Sequence, residues 1–314
     1  MPLDDSVRSL FSKVSSQQRW AFFSCAAAGY LTHLYAFTNL YPNSDGLSRM
    51  FDPQQMTISG RWFLHYASVF NGFTQMPAVI GFFSVLFLSL AAALAVAVLG
   101  LNSRVLSAFA GAVMAVFPPM GYTYLYLFTA SAYAFAILCA VLAVWLAAKG
   151  GFPRWLAAVC LLAISMGTYQ AYAAVAVAFS LLSVLRAALL PQSTVKQTSL
   201  LGLRLVCFLL SGALLYYGIL QIFLAVKDLE LLDYLGMSQT GMGTLLLQLP
   251  RLVLTAYKQV ISFFLLPGGS NSFTTPFFAA LTLLLAVCAM GCLLSLWMRG
   301  DRRQGWRVAG TLAM

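Results

Sequence analysis

The stretch Tyr41–Met76 gathers most of the side chains in this chain that could do chemistry: Asp45, Arg49, Asp52, Arg61, Trp62 and His65, with Tyr66 beside them. A carboxylate at a membrane surface can take a proton from an acceptor hydroxyl. An arginine offers a phosphate a planar fork of donors. Positive charge is needed where a phosphate leaving group develops its negative charge. An indole such as Trp62 can stack on a sugar face. These parts describe transfer of a sugar from a phosphate-linked donor. Asp45 is the candidate base, Arg49 or Arg61 the phosphate clamp, and Asp52 a second carboxylate. Plainer uses stand beside each role. Asp45-Gly46 after Pro42-Asn43-Ser44 is a turn signal. Asp52-Pro53 fits a helix N-cap with proline at the first helical position. Arg61-Trp62 fits an anchor at a membrane interface. His65 has no second histidine nearby at metal-ligand spacing, which argues against a histidine-based metal site.

The elements that must hold these residues are membrane helices. Only 8% of the 314 residues are charged, 61% are hydrophobic and mean hydropathy is +0.86. The window Pro77–Gly100 carries no charge. At about 1.5 Å per residue, roughly 20 apolar residues cross a hydrocarbon layer of about 30 Å. The pattern predicts an all-α polytopic membrane protein, one transmembrane domain over 1–314, with about eight spans. We place them near 20–40, 77–100, 104–121, 123–148, 154–167, 169–190, 203–226 and 276–298. The net charge of +10 does not indicate nucleic acid, because basic residues alternate with apolar spans instead of forming one patch. Cys25, Cys139, Cys160, Cys207, Cys288 and Cys292 all lie in apolar windows without paired spacing, so neither a disulfide framework nor a zinc site is indicated. The first span follows a long polar stretch and reads as a retained signal anchor.

With the N-terminus in the cytoplasm, thirteen of the 18 basic residues fall on inner segments, against Asp4, Asp5 and Asp301. That asymmetry is what the positive-inside rule predicts for a multi-pass protein of the cell membrane. Lys149/Arg154 and Arg186/Lys196 require the same side, so 154–190 must go out and return, with Gly167-Thr168 as the turn. Two outer loops are long, 41–76 and 227–275. In the second, Leu245–Leu266 is apolar but broken by Gln248, Arg251, Lys258 and Gln259. That spacing predicts an amphipathic helix lying in the outer interface. A ninth span there would bring Arg251 and Lys258 toward the bilayer centre, at about 2.5–3.5 kcal/mol each.

Two further turns could face the first loop. Pro118–Tyr126 carries three tyrosines, and Ser165–Tyr172 brings Tyr169 and Gln170, which could donate to sugar hydroxyls. An aromatic belt and small residues for helix packing would give the same tyrosines. Gln170 is an amide at a span end and needs a partner. Gly241-Met242-Gly243 follows no strand and so lacks the context of a phosphate loop.

Asn43-Ser44-Asp45-Gly46, Ser59-Gly60-Arg61-Trp62, Tyr126–Tyr133, Met166–Tyr172 and the segment Gly241–Tyr257 together resemble the polytopic glucosyltransferases of the serotype-converting type II Gtr class. The resemblance implies a multi-spanning, lipid-dependent glycosyltransferase fold (GT-C-like). It implies polyprenyl-phosphate-linked glucose as donor, a cell-surface polysaccharide as acceptor and transfer on the extracytoplasmic face, with the lipid bilayer as setting. It assigns no cofactor and leaves a divalent metal open. A carboxylate in the first outer loop is the usual catalytic candidate, which maps to Asp45. An acidic residue is expected where this chain has Ser131. Family members are longer, and Arg307–Met314 reads as the opening of another span, so a C-terminally truncated chain is expected.

Two other readings stay open on the residues alone. A transporter or flippase of lipid-linked sugars would carry polar or broken helices at the midplane. A non-catalytic membrane partner of such an enzyme would need no outer carboxylate.

Overall fold

A computed structural model describes residues 14–40, 44–48, 55–71, 76–190, 192–232, 242–266 and 275–298. Arg49 and Asp52 lie outside the described residues. Every regular element among these is helical, apart from one isolated antiparallel bridge between Met56 and Arg61. The chain divides into two compact units, Met1–Ala187 with Thr194–Leu231, and Ala188–Ser193 with Leu232–Met314.

The first unit begins with α1 (Ser16–Thr38), whose start is fixed by a capping box between Ser15 and Gln18. The short α2 (Ser44–Ser48) and α3 (Leu64–Ala67) follow. Then come α4 (Pro77–Leu99), α5 (Arg104–Val116), α6 (Pro118–Leu125), α7 (Leu127–Lys149), α8 (Phe152–Thr168), α9 (Ala173–Leu189) and α10 (Val195–Lys227). Proline opens α4 and α6, where its missing N–H costs nothing, and Gly100 closes α4 in the left-handed conformation with φ 64°. Pro118 also forces Phe117 out of the helical region (φ −57°, ψ 129°), so α5 ends there.

Among the described residues, four helices are long and apolar enough to cross a membrane: α4, α7, α10, and α9 together with the 3-10 turn Gln170–Tyr172 that leads into it. The pair α5 and α6, bent by 40°, makes a fifth if counted as one span. This differs from the spans placed at 104–121 and 123–148. The break falls at Pro118, and Pro118–Leu125 is a separate helix. α1 has the length, but Tyr30, Thr32, His33 and Tyr35 dilute its apolar character. α8 has 17 residues, about 25 Å of helix.

Packing is close where small residues let backbones meet. Gly111 lies against the Ala21 carbonyl of α1, where a Cβ would come within 2.2 Å, and Ser24 Oγ donates to Ala108 O (2.7 Å). Gly81 receives the Phe37 ring, and Gly212 receives Leu162. The main core, built on α1, α4, α6 and α7, includes Cys25, Phe37, Ile80, Leu88, Met120 and Val141.

The unit has two chemically distinct ends. At one, Arg186 of α9 donates to Val98 O (2.8 Å) and Arg204 of α10 donates to Ala148 O (3.4 Å), so each arginine caps the negative C-terminus of another helix. Gln17 at the start of α1 donates to Asn102 O at this same end (2.8 Å). Lys149 sits 3.6 Å over Trp145. α8 leaves the Lys149 end and reaches Trp62. α9 starts beside Ser59 and carries Arg186 back to the first end, so 154–190 runs as a hairpin with its break at Tyr169. Arg61, Trp62, Tyr169 and Gln170 come together at the other end.

In the second unit, α11 (Met242–Leu265) stands where an amphipathic helix is predicted, with Pro250 inside it, and α12 is Pro276–Met298. The Phe264 and Phe278 rings stack at 6.4 Å.

Candidate active site

The segment from Gln55 to Asn71 folds as a tight loop against the starts and ends of α7, α8 and α10. Gly60 takes φ 78°, a left-handed conformation that glycine adopts without penalty. That turn brings Arg61 N–H back to Met56 O (3.1 Å) and points the Ser59 and Gly60 carbonyls outward. Both carbonyls are caught. Gln170 Nε2 donates to Ser59 O (2.8 Å), and Tyr216 Oη donates to Gly60 O (3.0 Å). Gln170 Nε2 also donates to Tyr216 Oη (3.1 Å), which closes the set. A Cβ on Gly60 would lie 2.2 Å from Gln170 Nε2 and 2.7 Å from Tyr216 Oη, so the approach needs glycine.

The next two residues are fixed by packing. Phe63 N–H donates to Gly167 O (2.8 Å) at the end of α8. The Trp62 indole lies on Gly167, stacks on Phe223 (5.7 Å, 19°) and meets Phe63 edge-on. In place of an open face for a sugar, Trp62 thus presents a ring only 7% exposed, covered by α8 and α10. Its indole N–H is buried without a hydrogen-bond partner.

Arg61 is half-buried among tyrosines. Its Nη1 donates to Tyr133 Oη (3.2 Å), and its Cζ sits 4.4 Å from the centre of the Tyr169 ring. Tyr133 and Tyr169 stack at 5.0 Å and 16°, with Tyr172 edge-on to both. Arg61 Nε is buried and has no hydrogen-bond partner, and no carboxylate among the described residues pairs with the guanidinium. A cation–π contact is worth about 0.5–2 kcal/mol. Desolvating a charge costs several kcal/mol. The tyrosines alone leave that cost uncovered, and the remaining donors suit an anion, whose attraction strengthens away from bulk water.

The other expected residues lie as follows. Asp45 is exposed in the first turn of α2. His65 is half-buried in α3, its ring 5.3 Å from Tyr66 and edge-on to it. Tyr169 is engaged by Arg61 and Tyr133, and the Gln170 amide nitrogen by Ser59 and Tyr216. Among the described residues, no group of three or more His, Cys, Asp or Glu is placed to hold a metal ion.

Two residues that sequence reasoning passes over prove central to the geometry. Tyr216 lies in an apolar run, where its hydroxyl is the only local hint of a partner. Asn71 is buried at 2% exposure. It donates to Phe128 O and accepts from Ser131 Oγ, joining the loop to the first turn of α7. Ser131, where an acid is expected, is fully buried in this seam.

Residues 34–299 match the family described as Glucosyl transferase GtrII. No curated protein and no solved structure matches the chain.

Proposed function

The chain belongs to the GtrII glucosyl transferase family, and from that premise we propose that it moves a glucosyl unit from a polyprenyl-phosphate donor to a cell-surface polysaccharide on the extracytoplasmic face. Arg61 holds the donor phosphate. Asp45 takes the proton from an acceptor hydroxyl as that oxygen attacks the anomeric carbon. The bond from the anomeric carbon to the phosphate oxygen breaks, and polyprenyl phosphate leaves with its charge held by the guanidinium. Arg49, Asp52 and His65 line the same loop in this reading.

One observation carries the proposal: a half-buried guanidinium braced on Tyr169 and Tyr133, with no carboxylate partner among the described residues. A structural arginine in such a place ordinarily has a paired charge. The basic helix caps at the opposite end support the orientation. Lys149, Arg154, Arg186 and Arg204 face the cytoplasm with the N-terminus, and the loop 41–76 faces out. About eight spans and an interfacial α11 complete this topology, a GT-C-like arrangement.

The test is glucose transfer from synthetic polyprenyl-phosphate glucose by membranes carrying Arg61→Ala or Asp45→Asn, with insertion checked separately. Arg61→Ala is expected to raise donor KM at least about tenfold, the loss of a charge-assisted hydrogen bond. Asp45→Asn is expected to lower kcat by about a hundredfold or more. Normal transfer by both variants refutes the assignment.

A further inference from the structure

We infer that Tyr216 is a positioning residue that aims Arg61 at the donor phosphate, with Gln170 as its partner. The inference rests on the reading of Arg61 given above and extends it to α10.

Glycine at position 60 explains why such a device is needed. A glycine with φ 78° adopts its turn easily, but it leaves that turn just as easily. The bridge between Met56 and Arg61, with Ser59 N–H donating to Met56 O (3.1 Å) and Gly60 N–H to Thr57 O (2.8 Å), closes the loop through its N–H groups and leaves the Ser59 and Gly60 carbonyls to partners outside it. The direction of the Gly60 carbonyl, and of the Arg61 backbone that follows it, must therefore be set from outside the loop. Tyr216 sets it by donating to Gly60 O (3.0 Å), and Gln170 sets the preceding peptide by donating to Ser59 O (2.8 Å). The two act as one unit, because the same amide nitrogen donates to Tyr216 Oη (3.1 Å) and so fixes which way that hydroxyl points. Beneath the loop, Tyr216 is itself fixed. Its ring is buried in a cluster with Trp62, Ala163 and Leu220. The hydroxyl thus extends from a rigid helix to the residue beside the phosphate clamp, and it touches Arg61 only through the backbone.

The experiment compares donor and acceptor kinetics of Tyr216→Phe, Arg61→Ala and the double variant. Phenylalanine keeps the ring and its packing and removes only the hydroxyl. We expect Tyr216→Phe to raise donor KM by about three- to tenfold, the scale of one net hydrogen bond, with acceptor KM unchanged. In the Arg61→Ala background the same change should do nothing further to donor KM, because its route to the donor is gone. Gln170→Met removes the amide and should repeat the pattern, which keeps the test intact if one variant fails to insert. Losses of equal size in both backgrounds would mean a structural role only and overturn the positioning. Donor KM raised by Arg61→Ala but untouched by Tyr216→Phe and Gln170→Met overturns the positioning alone. Donor KM untouched by Arg61→Ala overturns the clamp, and the positioning with it.

Discussion

Replacing Gly167 by alanine tests the packing that holds the loop in place, because two opposing effects can be separated in sign. Gly167 lies in the last turn of α8 with ordinary helical geometry. On propensity alone, alanine there should stabilise the helix by about 1 kcal/mol. The new Cβ, however, would sit 2.6, 2.7 and 3.0 Å from three atoms of the Trp62 indole. That ring cannot swing away, since Phe223 stacks on it and Phe63 closes its edge. Nor can the backbones part, because Phe63 N–H is bonded to Gly167 O at 2.8 Å. Overpacking of this kind costs about 1–3 kcal/mol. With three contacts against a rigid ring the cost should exceed the helix gain, leaving a net loss of about 1–2 kcal/mol. The assay is the thermal midpoint of the purified protein in lipid micelles, alongside Gly218→Ala. Gly218 lies in α10 with nothing within 4 Å of a Cβ, so alanine there should be neutral or stabilising. Gly167→Ala should lower the midpoint, and Trp62→Phe in the same chain should recover part of the loss. A midpoint raised by Gly167→Ala, or one indifferent to the ring at position 62, refutes the packing.

Three further outcomes follow from the same geometry. Gly60→Ala should weaken donor affinity, seen as a rise in donor KM, because it strains φ 78° by about 1–2 kcal/mol and displaces Gln170 and Tyr216. Gly121→Ala, where a Cβ meets nothing within 4 Å, is the matching control. Asn71→Ala should lower the thermal midpoint by an amount corresponding to about 1–3 kcal/mol, since Phe128 O and Ser131 Oγ lose a buried partner. Arg186→Ala removes a helix cap worth about 0.3–1 kcal/mol. As it lies at the end away from Arg61, it should leave donor KM unchanged.

Much of this arrangement is legible in the sequence, and what is not has a physical reason. Charge-free windows such as Pro77–Gly100 fix α4, and interrupted hydrophobicity over Leu245–Leu266 fixes α11. The charges at Lys149, Arg154 and Arg186 require an outgoing and a returning arm, and the break at Tyr169 lies beside the predicted turn. Periodicity is a local signal, and it misplaces the boundary between the spans near 104–121 and 123–148. Both sides of Pro118-Pro119 are apolar, and only the backbone shows the 40° bend. The site is legible in kind but not in contact. Arg61, Trp62 and Gln170 stand out by type, yet what each touches lies far off along the chain. Gln170 meets Ser59 across 111 positions and Tyr216 meets Gly60 across 156. Trp62 looks from sequence like a free aromatic face because nothing nearby in the chain announces Phe223.

The most direct measurement is equilibrium binding of polyprenyl phosphate itself, without sugar or acceptor, to the purified protein and to its Arg61→Ala variant. Binding should weaken at least about tenfold in the variant while its thermal midpoint stays within reach of the parent. Equal affinity in two equally folded proteins would contradict Arg61 as the group that holds the donor phosphate.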